Sequence, residues 1–180
     1  MKLINKSNSM RKIIIGVIVL IIYGCDINNE SDWYYAESPE AFKDEVILAL
    51  NSARSQNRYC GAIEFSSVGR VKWNSYLYEA AERHALDMAK FSFFSHVGSD
   101  GTRVGNRVVS TGYRGTIAGE NIAWKQVSVN EVMNDWLNSP THCEAIMDYR
   151  YEDIGMAKVV TPEGNYWVLV FSRPYSISYP

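Results

Sequence analysis

The sequence predicts an α+β fold, a three-layer α-β-α sandwich in which helices cover both faces of a small antiparallel sheet. Three observations carry this. Apolar residues recur at helical spacing in separate stretches between Phe42 and Leu137. Two extended segments near the C-terminus flank a turn cluster, Pro162-Glu163-Gly164-Asn165. The second segment, Tyr166 to Phe171, is apolar on both faces, with Val168 and Val170 on one side and Trp167, Leu169 and Phe171 on the other. A sheet with two apolar faces has to be covered twice.

The chain opens on a basic stretch (Lys2, Lys6, Arg11, Lys12) followed by an apolar run, Ile13 to Ile22, broken only by Gly16. Ten residues fall well short of the ~20 that a membrane-spanning helix needs. The pattern reads as a secretory leader over 1–24, to be left out of fold reasoning. It ends in Ile22-Tyr23-Gly24-Cys25, which resembles a bacterial lipobox. That resemblance implies cleavage before Cys25, lipidation of Cys25 and a membrane anchor, since each buried methylene of an acyl chain adds ~0.8 kcal/mol. Residues 25–37 read as a polar tether. A single domain is expected over 38–175.

Within that domain, Ser38-Pro39-Glu40 opens a helix with Phe42, Val46, Leu50 and Ala53 on its buried stripe. Gly61 lies beyond its end. Val71-Lys72-Trp73 reads as a short extended link. Asn74 and Ser75 open a second helix with Leu77, Ala81, His84, Ala85 and Met88 facing inward; His84 lies in that stripe and reads as a core residue. Val97 to Thr102 is a loop, and Thr102 is placed to cap a third helix through Val104, Val108 and Val109, stopped by Gly112. Gly115 to Trp124 reads as a loop with a short extended piece at Ile122-Ala123-Trp124. Ser128 and Glu131 form a capping-box pattern for a fourth helix carrying Val132, Trp136 and Leu137, ended by Pro140. The hairpin of Ile154 to Val160 and Tyr166 to Phe171 completes the domain.

Charge narrows the partners. The full chain carries 18 Lys and Arg against 20 Asp and Glu. Without the four basic leader residues 14 face 20, net −6. Nucleic-acid binders cluster positive charge, so no nucleic-acid partner is expected. A monomer is expected. After Cys25 two cysteines remain, Cys60 and Cys143. An even number in an oxidising compartment suggests one disulfide, with two buried free thiols as the alternative.

Chemistry concentrates in three turn-rich segments: Phe93-Phe94-Ser95-His96, Gly119-Glu120-Asn121 and Ser139-Pro140-Thr141-His142. They hold two of the three histidines and a glutamate, the side chains that bind transition metals or move protons near neutral pH. Two imidazoles and a carboxylate meeting in one cavity would suit Zn²⁺ with a position left for water, with His96 and His142 as the metal ligands beside Glu120. No His-Glu-x-x-His motif exists, so a zincin-type protease is not expected. Ser139 and Thr141 are the nucleophile candidates near His142, without an elbow motif to support them. The alternative gives His96 and Glu120 purely structural roles in ordering the loop.

The stretch from about Leu50 to Phe171 resembles the CAP superfamily of cysteine-rich secretory proteins, antigen 5 and pathogenesis-related protein 1, in its bacterial secreted branch. The words that carry the resemblance are His84-Ala85-Leu86-Asp87-Met88-Ala89, Phe94-Ser95-His96, Gly119-Glu120-Asn121-Ile122-Ala123, Trp136 to His142 and Ile154-Gly155-Met156, in family order. The resemblance implies an α-β-α sandwich. It also implies a cavity to which His96 and His142 supply the two histidines and Glu120 the first glutamate. The second glutamate's position holds Ser139, so the tetrad is incomplete. Bacterial relatives often pair an early cysteine with one beside the signature histidine, which implies a Cys60–Cys143 bridge. Two functions are therefore carried. The favoured one is a non-enzymatic binding module for a lipid, sterol or protein ligand, with His96, Glu120, His142 and Ser139 lining the cavity. The other is a metal-assisted hydrolase or peptidase using His96, Glu120 and His142.

Overall fold

The computed structural model describes residues 39–175. The leader, Cys25 and the tether lie outside the described residues.

The elements run α1 (Pro39–Arg54), β1 (Arg58–Cys60), β2 (Ile63–Phe65), β3 (Lys72–Trp73), α2 (Ser75–Lys90), α3 (Val104–Ser110), β4 (Gly115–Trp124), α4 (Val129–Asn138), α5 (Pro140–Ile146), β5 (Asp153–Val159) and β6 (Tyr166–Pro174). The main sheet has the order β3-β5-β6-β4, with β5 and β4 antiparallel to β6 and the two-residue β3 parallel to β5. It is thus an antiparallel sheet with one short parallel addition.

Strand alternation divides the core in two. Leu169, Phe171, Trp167, Ile154 and Met156 face a layer of α1, α4 and α5, packed with Val46, Leu50 and Trp136. Val168, Val170, Tyr166, Ala157 and Val159 face α2 and α3, packed with Leu77, Ala81 and Met88. The Val, Leu, Ile, Phe and Met side chains among them each contribute roughly 1.5–3 kcal/mol on leaving water. This is the three-layer sandwich that the apolar two-sided strand predicts. Gly155 lets α2 lie directly on the sheet: a Cβ there would sit 1.9 Å from the backbone nitrogen of Tyr78.

Four local expectations are corrected. Gly115 to Trp124 is not a loop but a ten-residue edge strand, because β6 supplies a ladder partner from Ala118↔Ser172 to Trp124↔Tyr166. Val71-Lys72-Trp73 is more than a link, since Lys72 and Trp73 pair with Asp153 and Ile154. Pro140 does not only end α4; it occupies the first turn of α5, which carries His142 and Cys143. Proline suits that position because the first-turn N–H has no helical partner anyway. The cap of α3 is Arg103 rather than Thr102, whose hydroxyl donates to Asp100 Oδ1 instead. The β1–β2 hairpin has no counterpart in the sequence reading. Cys60 and Cys143 form the disulfide, tying β1 to α5.

Candidate functional site

The site is built from the loop after α2, the edge strand β4 and the start of α5. At the end of α2 the chain turns sharply through Ser92, whose φ of 52° is left-handed. That turn brings Ser95 and His96 back over β4. Asp87 on α2 holds the next segment by accepting the Ser99 N–H at 2.8 Å and the Ser99 hydroxyl at 2.5 Å. On β4, Glu120 shares the face of Ile122, toward α2 and α3, while Asn121 points to the other layer and donates to the carbonyl of His142 at 3.1 Å. One strand therefore fixes both candidate histidines.

Glu120 is closed to solvent, its side chain 1% exposed, and both its oxygens are engaged. His96 Nδ1 donates to Oε1 at 2.8 Å, and Arg107 Nη2 donates to Oε2 at 2.7 Å. Arg107 also donates to the carbonyls of Thr102 at 2.9 Å and His96 at 3.2 Å. A buried carboxylate in an apolar layer is costly unless paired and fully hydrogen-bonded, and Arg107 together with His96 meets that need. His84 stands 4.0 Å from the same Glu120 oxygen and donates through Nε2 to Ser95 O at 2.8 Å. Its Nδ1 has no partner, and burial pushes its proton affinity below the ordinary histidine value, against the pull of Glu120. Its place in the core is the one expected.

His142 is half-buried. Burial first, and the nearby His96 second, hold its proton affinity below the ordinary value, so it is neutral near pH 7. It lines an open groove of about 370 Å³ with Ser139 and Asp135 from the α4–α5 side. Ile122, Ala123 and Trp124 of β4, with Phe94, Gln126 and Trp136, complete the lining. Trp136 is fixed there by its indole N–H, which donates to the carbonyl of Ile122 at 3.2 Å. His96 and Glu120 are not among the residues lining the groove. The three segments do converge, but as an ion-paired cluster beside a groove, with Phe94 and His96 two residues apart linking them.

The donor set bears on zinc. Both oxygens of Glu120 are taken, which leaves it as an orienting group for His96 and not a ligand. Among the described residues no three His, Cys, Asp or Glu side chains are grouped to hold a metal ion. The residues present therefore do not make the three-ligand site that the sequence suggested. Among the described residues no hydrogen bond joins Ser139 to His142, and Thr141 is exposed.

Sequence reasoning missed Arg107, a cation that sits one turn past the apolar Val104 of α3. It also missed Arg54, which is 1% exposed and donates to the carbonyls of Gly69, Ile146, Asp148 and Tyr151 at 2.6–3.1 Å. Arg54 follows Leu50 at helical spacing, so its inward direction was readable; its partners, 15 to 97 residues away, were not.

With this geometry in hand, four likenesses to known proteins stand out. The model of the cysteine-rich secretory protein (CAP) family matches residues 49–171. The uncharacterized membrane protein YlbC of Bacillus subtilis (strain 168) is 29% identical over 125 residues, 66% of this chain and 35% of that protein, so the chain spans about a third of that relative's length. Among solved structures, an outer surface protein from Borrelia burgdorferi superposes with a TM-score of 0.60 at 19% identity, covering 76% of this chain and 92% of that one. An extracellular protein containing an SCP domain from Bacillus anthracis str. Ames gives 0.61 at 21% identity, covering 78% and 45%. At such identities the two structures speak to the fold.

Proposed function

The chain belongs to the cysteine-rich secretory protein (CAP) family, and from that premise we propose that it is an exported, Cys25-anchored lipoprotein whose CAP domain is a non-enzymatic binding module. The observation that carries this reading is the division of the site. Both oxygens of Glu120 are taken up by internal pairing with His96 and Arg107, while the adjoining groove combines aromatic and aliphatic side chains with four polar ones, Gln126, Asp135, Ser139 and His142, a mixed make-up that suits a ligand site. Relatives described as a membrane protein, an outer surface protein and an extracellular protein support an envelope location. Among the described residues no helix is long and apolar enough to cross a membrane.

Trp124 and Trp136 line the groove, so ligand entry is readable as a change in tryptophan emission. Apolar ligands of the lipid, sterol and peptide classes should perturb the emission of the full chain. Ser139→Trp, which fills the groove, and Phe94→Ala, which opens its wall, should both remove that response. If every ligand that binds the wild type also binds both variants equally, the groove is not the binding site. For the anchor, Cys25→Ser should move the protein from the detergent phase to the aqueous phase; unchanged partitioning would exclude it.

A further inference from the structure

Resting on the groove reading, we infer that the ligand is a peptide segment that presents a cationic side chain on an apolar framework. Asp135 is the one acidic side chain among the groove-lining residues, and no Lys or Arg lines it. The nearest lysine in sequence, Lys125, is turned onto the ring of Trp124, its ammonium 4.3 Å from the ring centre. His142 stays neutral near pH 7 because burial and His96 oppose its protonation, so it brings no positive charge. An anionic headgroup would meet Asp135 with no Lys or Arg among the lining residues to offset the repulsion.

The polar atoms at this end also ask for a donor. Gln126 donates its amide nitrogen to Asp135 Oδ2 at 2.8 Å, leaving Asp135 Oδ1 without a described partner. Gln126 Oε1 is buried with none. A buried acceptor left unpaired is destabilising, and a rearranged amide facing an ammonium or guanidinium recovers that loss. Phe94 is 49% exposed and supplies ring surface for the apolar framework and for cation–π contact, whereas the Trp124 ring already carries Lys125 and stacks on Tyr166.

The shape selects a segment over a free lipid. A pocket for a small ligand encloses most of that ligand's surface, whereas this groove is open to solvent and runs beside the outer edge of β4, the last strand of its sheet. A chain can enter and leave with one or two side chains seated. Trp136 already occupies the Ile122 carbonyl, so recognition rests on side chains and not on a full added strand.

The test uses the full chain in detergent and three blocked hexapeptides with one Leu/Val framework and a central Lys, Gln or Glu. The Lys peptide should bind at least tenfold more tightly than the Glu peptide, with Gln between them. Asp135→Asn should remove the preference and Asp135→Lys reverse it; Asp135 is exposed on α4, and a matching melting curve confirms the fold. Equal binding of the three peptides, or a preference that survives Asp135→Asn, overturns the charge inference. So does binding of none of them while an uncharged apolar ligand still responds to Ser139→Trp, a result that leaves the groove reading standing. Indifference of every ligand to Ser139→Trp and Phe94→Ala overturns both.

Discussion

Arg107 Nη2 lies 2.7 Å from Glu120 Oε2, and both side chains are almost closed to solvent. The pair joins α3 to the edge strand at the point where His96 is held. Its value is less in net stability than in what its loss leaves behind, a buried carboxylate short of a partner.

Arg107→Met should therefore destabilise the domain by about 3–5 kcal/mol. Glu120→Gln should also destabilise. The double variant should lose clearly less than the two singles together, since no orphaned charge remains. Urea midpoints of the four proteins check this. Simple additivity would mean that the two side chains are not coupled.

Acid should weaken the fold through His84. Its folded proton affinity is depressed, mainly by burial and also by Arg107, although Glu120 and Asp87 pull the other way. The unfolded chain then takes up a proton as pH falls through ~6.5, while the folded chain resists. Stability is full above that value and declines below it. His142 acts in the same direction. Melting temperatures from pH 8 to pH 5 should fall in the wild type, with a shallower fall in His84→Gln. Parallel curves would remove His84 from the account.

The Cys60–Cys143 bridge closes a separation of 83 residues. Cys60→Ala with Cys143→Ala should cost about 2–5 kcal/mol. Because the bridge ties α5 to β1, the double variant should also loosen the helix that carries His142. Hydrogen exchange of the α5 amides should rise more than that of α2. A uniform rise across the domain would show that the bridge acts only on the unfolded chain.

Two glycines should respond differently to alanine. At Gly155 the new methyl meets the α2 backbone at Tyr78 and Leu77, which cannot swing aside. Its cost should reach or exceed the upper end of the ~1–3 kcal/mol typical of overpacking. At Gly119 the obstacle is the far end of the Tyr151 side chain, so Gly119→Ala should cost less. Thermal melts rank the two, and a reversed order would contradict the packing described between α2 and the sheet.

Much of the fold was legible because the information is local. The stripe of α2, the serine cap of α4 and the two-faced apolar run of β6 are each written within a few consecutive residues. β4 was not legible, since Gly115, Thr116, Gly119 and Asn121 break the alternation that marks a strand. It becomes one because β6 offers a ladder to pair with. In the same way Pro140 looked like a stop, and only the tie of Cys143 to β1 and of the His142 carbonyl to Asn121 shows a new helix docked in place.

By itself the sequence determined the sandwich, the family words in their order, and His96, Glu120 and His142 as the chemically able side chains. Periodicity, caps and motifs are short-range properties, and a linear reading contains them whole. The tertiary structure alone decided how those side chains are used: Arg107, 13 residues before Glu120, claims the carboxylate, and Phe94 from a loop, Trp124 from β4 and Trp136 from α4 line a groove with a neutral His142. Burial sets whether a carboxylate must be paired and whether an imidazole keeps its proton, and burial exists only once distant segments have packed.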